Sequence, residues 1–157
     1  MNPAAPTRFM IGTDTFRHGT LSAADEFHCV RRVAPVVKNT GALVTALATK
    51  DGEVDGAERV AGVIEGSAPL FQAFADLTED DSNYVIARCM AATEMLDGET
   101  WVPTWDREIQ APAIESLRMI HVLRICYAVL RDAISVFFSD ALSSLTELGL
   151  LRRASIP

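Results

Sequence analysis

The strongest constraint on the fold is a long apolar segment that begins at Pro112 and is predicted to run as a helix to about Leu148. Most of its hydrophobic residues fall on one wide stripe of that helix. A second and narrower apolar stripe consists of Val122, Ile125, Val129 and Val136. A helix with two apolar sides is either central in a bundle or half open to another chain, including a second copy in a homo-oligomer.

Charged residues exclude a membrane span in this segment, because they interrupt every apolar run long enough to cross a bilayer. The interrupting residues are Arg118, Arg124, Arg131 and Asp132.

With 157 residues, 49% of them hydrophobic, the chain suits one folded domain over residues 1–157. Its N-terminus lacks a basic start followed by an apolar core, so we expect no secretory signal. The three widely spaced cysteines are expected to be buried thiols in a reducing cytosol.

The charge is unevenly distributed along the chain. Residues 51–115 contain 15 acidic and 3 basic side chains, whereas residues 1–50 and 116–157 are slightly basic. A nucleic-acid-binding protein would present a net basic face, so no nucleic-acid partner is expected. The acidic middle is consistent with charge matching inside the chain or with a basic protein partner.

The segment Leu21–Val37, LSAADEFHCVRRVAPVV, is predicted to be an amphipathic helix that begins with a capping box of Ser22 and Asp25. Its apolar side, expected to face the core, consists of Ala23, Phe27, Val30 and Ala34. Its polar side carries Asp25, His28 and Arg32, which could form a solvated chain of ion pairs. Arg31 and Arg32 are expected to meet an acidic surface, either the acidic middle of the chain or a partner. Pro35 predicts a kink or break.

The whole pattern predicts a mainly α fold, a compact bundle of about five to six helices with a small N-terminal β-hairpin. Residues 1–7 and 149–157 are expected to be loose tails, 8–20 a hairpin and 21–148 helices. A second capping box, Thr78 with Asp81, opens a helix predicted to end at Asp97–Gly98.

A tryptophan-containing loop is predicted at residues 97–111, where the helical pattern stops and a loop or a second short hairpin is expected. The sequence WVPTW places Trp101 and Trp105 on either side of Pro103. These indoles could plug the end of the bundle or anchor a partner, since tryptophan is enriched at binding hot spots.

Catalytic and metal-binding patterns are missing from the sequence. It contains no Cys-x-x-Cys, no His-x-x-x-His, no Gly-x-Ser-x-Gly and no phosphate-binding glycine loop. We therefore expect no metal, no cofactor and no enzymatic activity. The remaining enzyme hypothesis would use His28 with Cys29, or His121 with Cys126, and neither pair has the spacing of a shared site.

Several blocks, in order, resemble the bacteriophage tail assembly chaperones of long-tailed phages and prophages. These blocks are the short Phe/Ile hairpin, LSAADEFHCVRRVAPVV, LTEDDSNYVIARCMAAT, WVPTW, and the helix from Leu123 to the Phe137–Phe138 pair. The resemblance extends from about Arg8 to Phe138. It implies a non-enzymatic factor that holds the long, helical tape-measure protein and recruits tail-tube subunits around it.

The same resemblance implies a role in the cytoplasm of the bacterial host, and absence from the mature virion. On the residues alone, the expected partner-contact positions are Arg31, Arg32, Trp101, Trp105, Val122, Ile125, Val129 and Val136. The alternative function is a small structural protein that stays in the virion, such as a tail-completion or connector component. The acidic pI and the second apolar stripe are compatible with this alternative as well.

Overall fold

The computed structural model describes residues 5–39, 72 and 74–147, and within them the chain forms both helices and sheets. The helices are α1 (Ala23–Asn39), α2 (Glu79–Ala91) and α3 (Met119–Glu147), and residues 74–76 are also helical. The strands are β1 (Thr7–Ile11), β2 (Asp14–His18), β3 (Thr93–Asp97), β4 (Thr100–Pro103), β5 (Trp105–Asp106) and β6 (Ala111–Pro112). The expected mainly α bundle is therefore wrong, because a four-stranded sheet and a two-stranded sheet are present.

The larger sheet is antiparallel, in the order β1-β2-β3-β4. Its two hairpins, β1–β2 and β3–β4, each have a two-residue turn with a glycine first: Gly12 at φ 63° and Gly98 at φ 61°. A positive φ at this position suits the right-handed twist of the flanking strands, and glycine adopts it without strain. The N-terminal hairpin is where the sequence predicted it, but it forms half of a larger sheet.

Helix α2 was predicted to continue to Asp97, but it ends at Ala91. The last part of the predicted helix is strand β3 instead. Three hydrogen bonds satisfy carbonyl groups at this helix end. The Thr93 hydroxyl donates to the Cys89 carbonyl at 2.9 Å, and the Thr104 hydroxyl donates to that of Met90 at 2.8 Å. The Gly19 N–H donates to the Ala92 carbonyl at 2.9 Å. A helix end must find such partners when it is buried.

Helix α1 buries a different side from the one predicted. Cys29, Val33 and Val36 are in the core, whereas Phe27 is 61% exposed. Ala23 and Ala34 are exposed as well. The predicted core face of Ala23, Phe27, Val30 and Ala34 was therefore wrong, because the polar side of α1 packs towards α2, where charged partners meet it.

Pro35 lies inside α1, which continues to Asn39, so the predicted break was also wrong. The proline removes one hydrogen bond to the carbonyl of Arg31. Both residues are exposed, and water can bind that carbonyl instead.

Helix α3 begins at Met119, whereas the predicted start, Pro112, belongs to β6. The backbone N–H of Arg118, just before the helix, donates a hydrogen bond to Nδ1 of His121 at 2.9 Å. The His121 side chain thus satisfies one backbone donor at the start of the helix. No residue of α3 between positions 123 and 133 is exposed, and Ile125, Cys126, Val129 and Leu130 are among the buried ones. Over residues 123–133 the helix is therefore central in the fold, which is the first of the two alternatives that its two stripes allowed.

The inner face of the larger sheet packs on these helices through aromatic and polar contacts. Phe16 is fully buried, and its ring stacks on Phe9 at 5.6 Å between centroids. His18 is 5% exposed, and its Nε2 lies 3.2 Å from Oδ2 of Asp132 on α3. The sheet and α3 therefore share one core.

Some predictions concern residues outside the described part of the chain. They include residues 1–4 of the predicted tail 1–7, the predicted tail 149–157, and the helical patterns between residues 40 and 71. Thr7, the last residue of the first predicted tail, is instead the first residue of β1. In the described part of the chain, no helix is long and apolar enough to cross a membrane.

Candidate partner-binding groove

A polar cluster centred on Tyr84 joins α1 to α2. The Arg32 guanidinium lies over the Tyr84 ring at 4.0 Å, and its Nε is 2.9 Å from Oδ1 of Asp81. The Tyr84 hydroxyl donates to Oδ1 of Asp25 at 3.2 Å, and Nε of Arg88 lies 3.2 Å from the same oxygen. The polar residues of α1 thus pair with the acidic middle of the chain, which was one of the two predicted partners for Arg32.

Asp25 lies in the first turn of α1, and its side chain also belongs to this cluster. The backbone N–H of Asp25 donates to the Ser22 hydroxyl, which in turn donates to Oδ2 of Asp25 at 2.8 Å. This hydroxyl, with the nearby Arg88 guanidinium, lowers the pKa of the Asp25 carboxyl, although partial burial opposes the shift. Asp25 is therefore held as a carboxylate at the point where α1 meets α2.

A groove runs along the outward side of α2, between the start of α1 and the β5–β6 hairpin. Two concavities of about 660 and 880 Å³ share the lining residues Thr20, Ala91, Ala92, Trp105 and Arg107, so they are parts of one groove. The first concavity is lined further along α2 by Asp80, Asn83, Tyr84, Ala87 and Arg88. The lining is mixed, with small apolar side chains in the floor and charged ones at the edges.

The β5–β6 hairpin forms one wall of the groove and has a fixed loop. Oδ1 of Asp106 accepts hydrogen bonds from the N–H groups of Glu108 and Ile109, at 2.8 and 3.3 Å. Gln110 has a φ of 53°, and its Nε2 donates to the Arg107 carbonyl at 2.6 Å. Gln110 is the one residue other than glycine with a positive φ in the described part of the chain. Such backbone conformations cost free energy and are frequent at functional sites.

The two tryptophans of the chain lie in different places. Trp105 lines the groove, whereas Trp101 lies on β4 and is stacked beneath two guanidinium groups. The Arg17 guanidinium is 4.4 Å from the centroid of Trp101, and that of Arg8 is 5.5 Å away. Arg17 also pairs with Glu94 at 2.6 Å. Trp101 and Trp105, which were predicted to share one loop, therefore lie on separate strands, β4 and β5.

The predicted apolar contact stripe on α3 is divided as well. Ile125 and Val129 are buried in the core, and Val122 is half-buried against it. Val136 is 55% exposed. Ile125 and Val129 are covered by the chain itself and offer no surface to a partner in this structure. Arg31, the remaining predicted contact, is exposed on α1.

The three cysteines meet in the core between the three helices, and all three are free thiols. A hydrogen bond with Cys89 raises the pKa of the Cys29 thiol, and burial adds to this shift. The pKa of Cys89 is raised mainly by a hydrogen bond with Cys126, and again by burial. Within the described part of the chain, no group of three or more histidine, cysteine or acidic side chains could hold a metal ion.

Sequence reasoning did not identify most of the groove. Asp80, Ala87, Ala91 and Arg107 were not among the predicted contact residues, although Trp105 was. One usable signal was present, because Ala87 and Ala91 are four residues apart, on the opposite side of α2 from its buried residues. A strip of small residues on a helix allows close approach of another element.

A family model described as "Phage tail assembly chaperone protein, TAC" matches residues 12–146. No curated protein and no solved structure matches the chain.

Proposed function

Because the chain belongs to the phage tail assembly chaperone family, we propose that it binds the tape-measure protein and recruits tail-tube subunits during tail assembly. The observation that carries this proposal is the family match, which extends over residues 12–146. A chaperone of this kind acts by binding, so the proposed role is non-enzymatic. Its place of action is the cytoplasm of the bacterial host, and it leaves before the virion is complete.

The surface of the protein supports a binding role. Large apolar side chains are exposed at separate places, namely Phe27 at 61%, Ile109 at 70% and Val136 at 55%. Exposed apolar residues and apolar grooves are the usual contact points for helical clients. Phe27, Ile109 and Val136 lie on different elements, α1, the β5–β6 loop and α3, which suits a factor that contacts more than one partner.

Co-expression tests the client directly. The tape-measure protein encoded in the same genome would be produced with and without this chain, and its soluble fraction measured after centrifugation. We expect a soluble complex that survives size-exclusion chromatography. A tape-measure protein that is equally soluble without this chain would contradict the proposal.

Recruitment of tail-tube subunits needs a separate measurement. Purified tail-tube protein would be added to the immobilised complex of this chain with the tape-measure protein, and to each component alone. We expect retention of the tube protein to depend on this chain. Retention by the tape-measure protein alone, at the same level, would leave this chain without a recruiting role.

Mass spectrometry of purified virions distinguishes a chaperone from a structural component. We expect the chain to be absent from mature particles, whereas a connector or tail-completion protein would be present at a fixed copy number. The burial of Ile125 and Val129 removes support from both functions equally. The family match is what favours the chaperone, which is therefore the function that we propose.

A further inference from the structure

The groove beside α2 has the shape of a helix-binding site. Its floor is the outward side of α2, where Asn83, Ala87 and Ala91 follow one another at intervals of four residues. One wall is the start of α1, and the opposite wall is the hairpin that carries Trp105. Small side chains in a floor allow a second helix to approach closely, at interaxial distances near 8 Å.

The length of the groove corresponds to a short helix. Asp80 and Ala91 lie eleven residues apart along α2, which is about 17 Å at the rise of an α-helix. A bound helix of about three turns would fill this length. The second concavity continues beyond Trp105, so a longer segment could also be accommodated.

The charges in the groove indicate which charged side chains a bound helix would need. Near its middle, Asp25 and Arg88 neutralise one another through their ion pair. At opposite ends of the first concavity lie Asp80, in the first turn of α2, and Arg107, beside Trp105. Neither side chain has an ion-pair partner among the described residues. A complementary partner has a basic side chain at one end and an acidic side chain at the other.

We propose that this groove binds an amphipathic helical segment of the tape-measure protein, about three turns long, through Ala87, Ala91 and Trp105. In this arrangement a basic residue of the segment meets Asp80, and an acidic residue meets Arg107. The proposal rests on the proposed function, since it takes the tape-measure protein as the client. It adds the place of contact, the conformation of the bound segment and the order of its charges.

Filling the groove is the first test, performed by co-expression with the full tape-measure protein from the same genome. Ala87→Leu places a large side chain in the floor with little loss of helix propensity. We expect about a tenfold loss of affinity for the tape-measure protein. The matched control is Ala24→Leu on the exposed side of α1, outside the groove, which should bind as the wild type does.

Reversing the end charges is the second test. Asp80→Lys and Arg107→Glu should each weaken the complex, and the loss should diminish at high salt because screening removes the repulsion. Glu79→Lys is the control for the first variant, since Glu79 is exposed in the same helical turn and does not line the groove. Arg118→Glu is the control for the second, because Arg118 is exposed and does not line the groove. Asp80→Lys and Glu79→Lys both place a positive charge in the first turn of α2, so they should lower the urea midpoint by the same small amount. The other variants should unfold at the same urea concentration as the wild type.

The outcomes separate this proposal from the proposed function. If wild-type chain holds the tape-measure protein and Ala87→Leu does so equally well, the groove assignment is overturned and the chaperone role stands. If the wild type does not bind the tape-measure protein, both fail. A photo-reactive residue at position 87 should crosslink to the tape-measure protein, and one at position 24 should not. A crosslink from position 87 to a second copy of this chain would assign the groove to self-association and overturn the proposal.

Discussion

The hydroxyl of Thr104 donates a hydrogen bond of 2.8 Å to the carbonyl oxygen of Met90. Thr104 is fully buried, and its backbone N–H donates to the Thr93 carbonyl at 3.1 Å. Its own carbonyl accepts a bond of 2.9 Å from the N–H of Ala113. One residue thereby connects the end of α2, the larger sheet and the chain leading away from β6.

Thr104→Val should lower the free energy of unfolding by about 1–3 kcal/mol, because it leaves the buried Met90 carbonyl without its donor. Valine has nearly the same shape as threonine, so packing changes little. Urea unfolding followed by circular dichroism measures the effect. Thr100→Val, at an exposed position on β4, should change the stability by less than about 0.5 kcal/mol. Equal effects of the two substitutions would show that the buried hydrogen bond contributes little.

Arg32 and Asp81 should show a measurable coupling across the α1–α2 interface. Both side chains are partly exposed, so the ion pair is expected to contribute only about 0.5–1 kcal/mol. A double-mutant cycle with Arg32→Ala and Asp81→Ala, analysed by urea unfolding, isolates this term from the contact with Tyr84. Arg31→Ala is the control, because its side chain is exposed on the same helix. Additive effects of the two alanine substitutions would contradict the coupling.

The buried thiols should make the protein less stable in alkaline solution. Cys29 and Cys89 have raised pKa values in the folded chain, whereas unfolded thiols ionise near their ordinary value of 9.0. Their contribution to stability is therefore complete below about pH 9 and is lost as the pH rises further, by up to about 1.4 kcal/mol per pH unit for each thiol.

Urea unfolding at about pH 8 and about pH 10 measures this loss, and Cys89→Ala separates it from the titration of other groups. The variant should lose less stability than the wild type between the two pH values. If the wild type and the variant lose the same amount, ionisation of Cys89 is not responsible.

Gly98→Ala should destabilise the β3–β4 hairpin by about 1–2 kcal/mol, because a residue with a Cβ is strained at a φ of 61°. The added methyl group itself would meet no atom within 4 Å, so the cost is one of backbone conformation. Gly19→Ala provides the matched control, since its Cβ would also lie in open space and its φ is not positive. Thermal unfolding compares the two, and equal melting temperatures would contradict the prediction.

Local interactions were predictable from the sequence, and long-range ones were not. The two capping boxes, Ser22 with Asp25 and Thr78 with Asp81, form as expected because each depends on four consecutive residues. Strand β3 was mistaken for a helix end because Val85, Cys89, Ala92 and Leu96 continue a helical spacing. What makes it a strand is pairing with β2, more than seventy residues away, as in the pair of Arg17 with Glu94.

The prediction of which side of α1 is buried failed for a related reason. The buried residues Cys29, Val33 and Val36 lie between the predicted apolar and polar sides of α1, so periodicity alone did not identify the buried face. Tyr84, Asp81 and Arg88 make the polar side of α1 a packing surface, and they belong to a helix whose position the sequence did not reveal. For the groove, only Trp105 was predicted, since the other lining residues are ordinary until α1, α2 and the β5–β6 hairpin meet.

The central position of α3 has a consequence for biosynthesis. Ribosomes make the chain from its N-terminus, so α1, α2 and both sheets leave the exit tunnel before the residues that complete their core, Leu123 to Ala133, have emerged. Until then the core that Cys29, Val33 and Val85 share lacks the α3 side chains that pack against it, and it stays incomplete. Stable structure therefore forms late in translation, and a ribosome that stalls before residue 123 would expose an aggregation-prone chain.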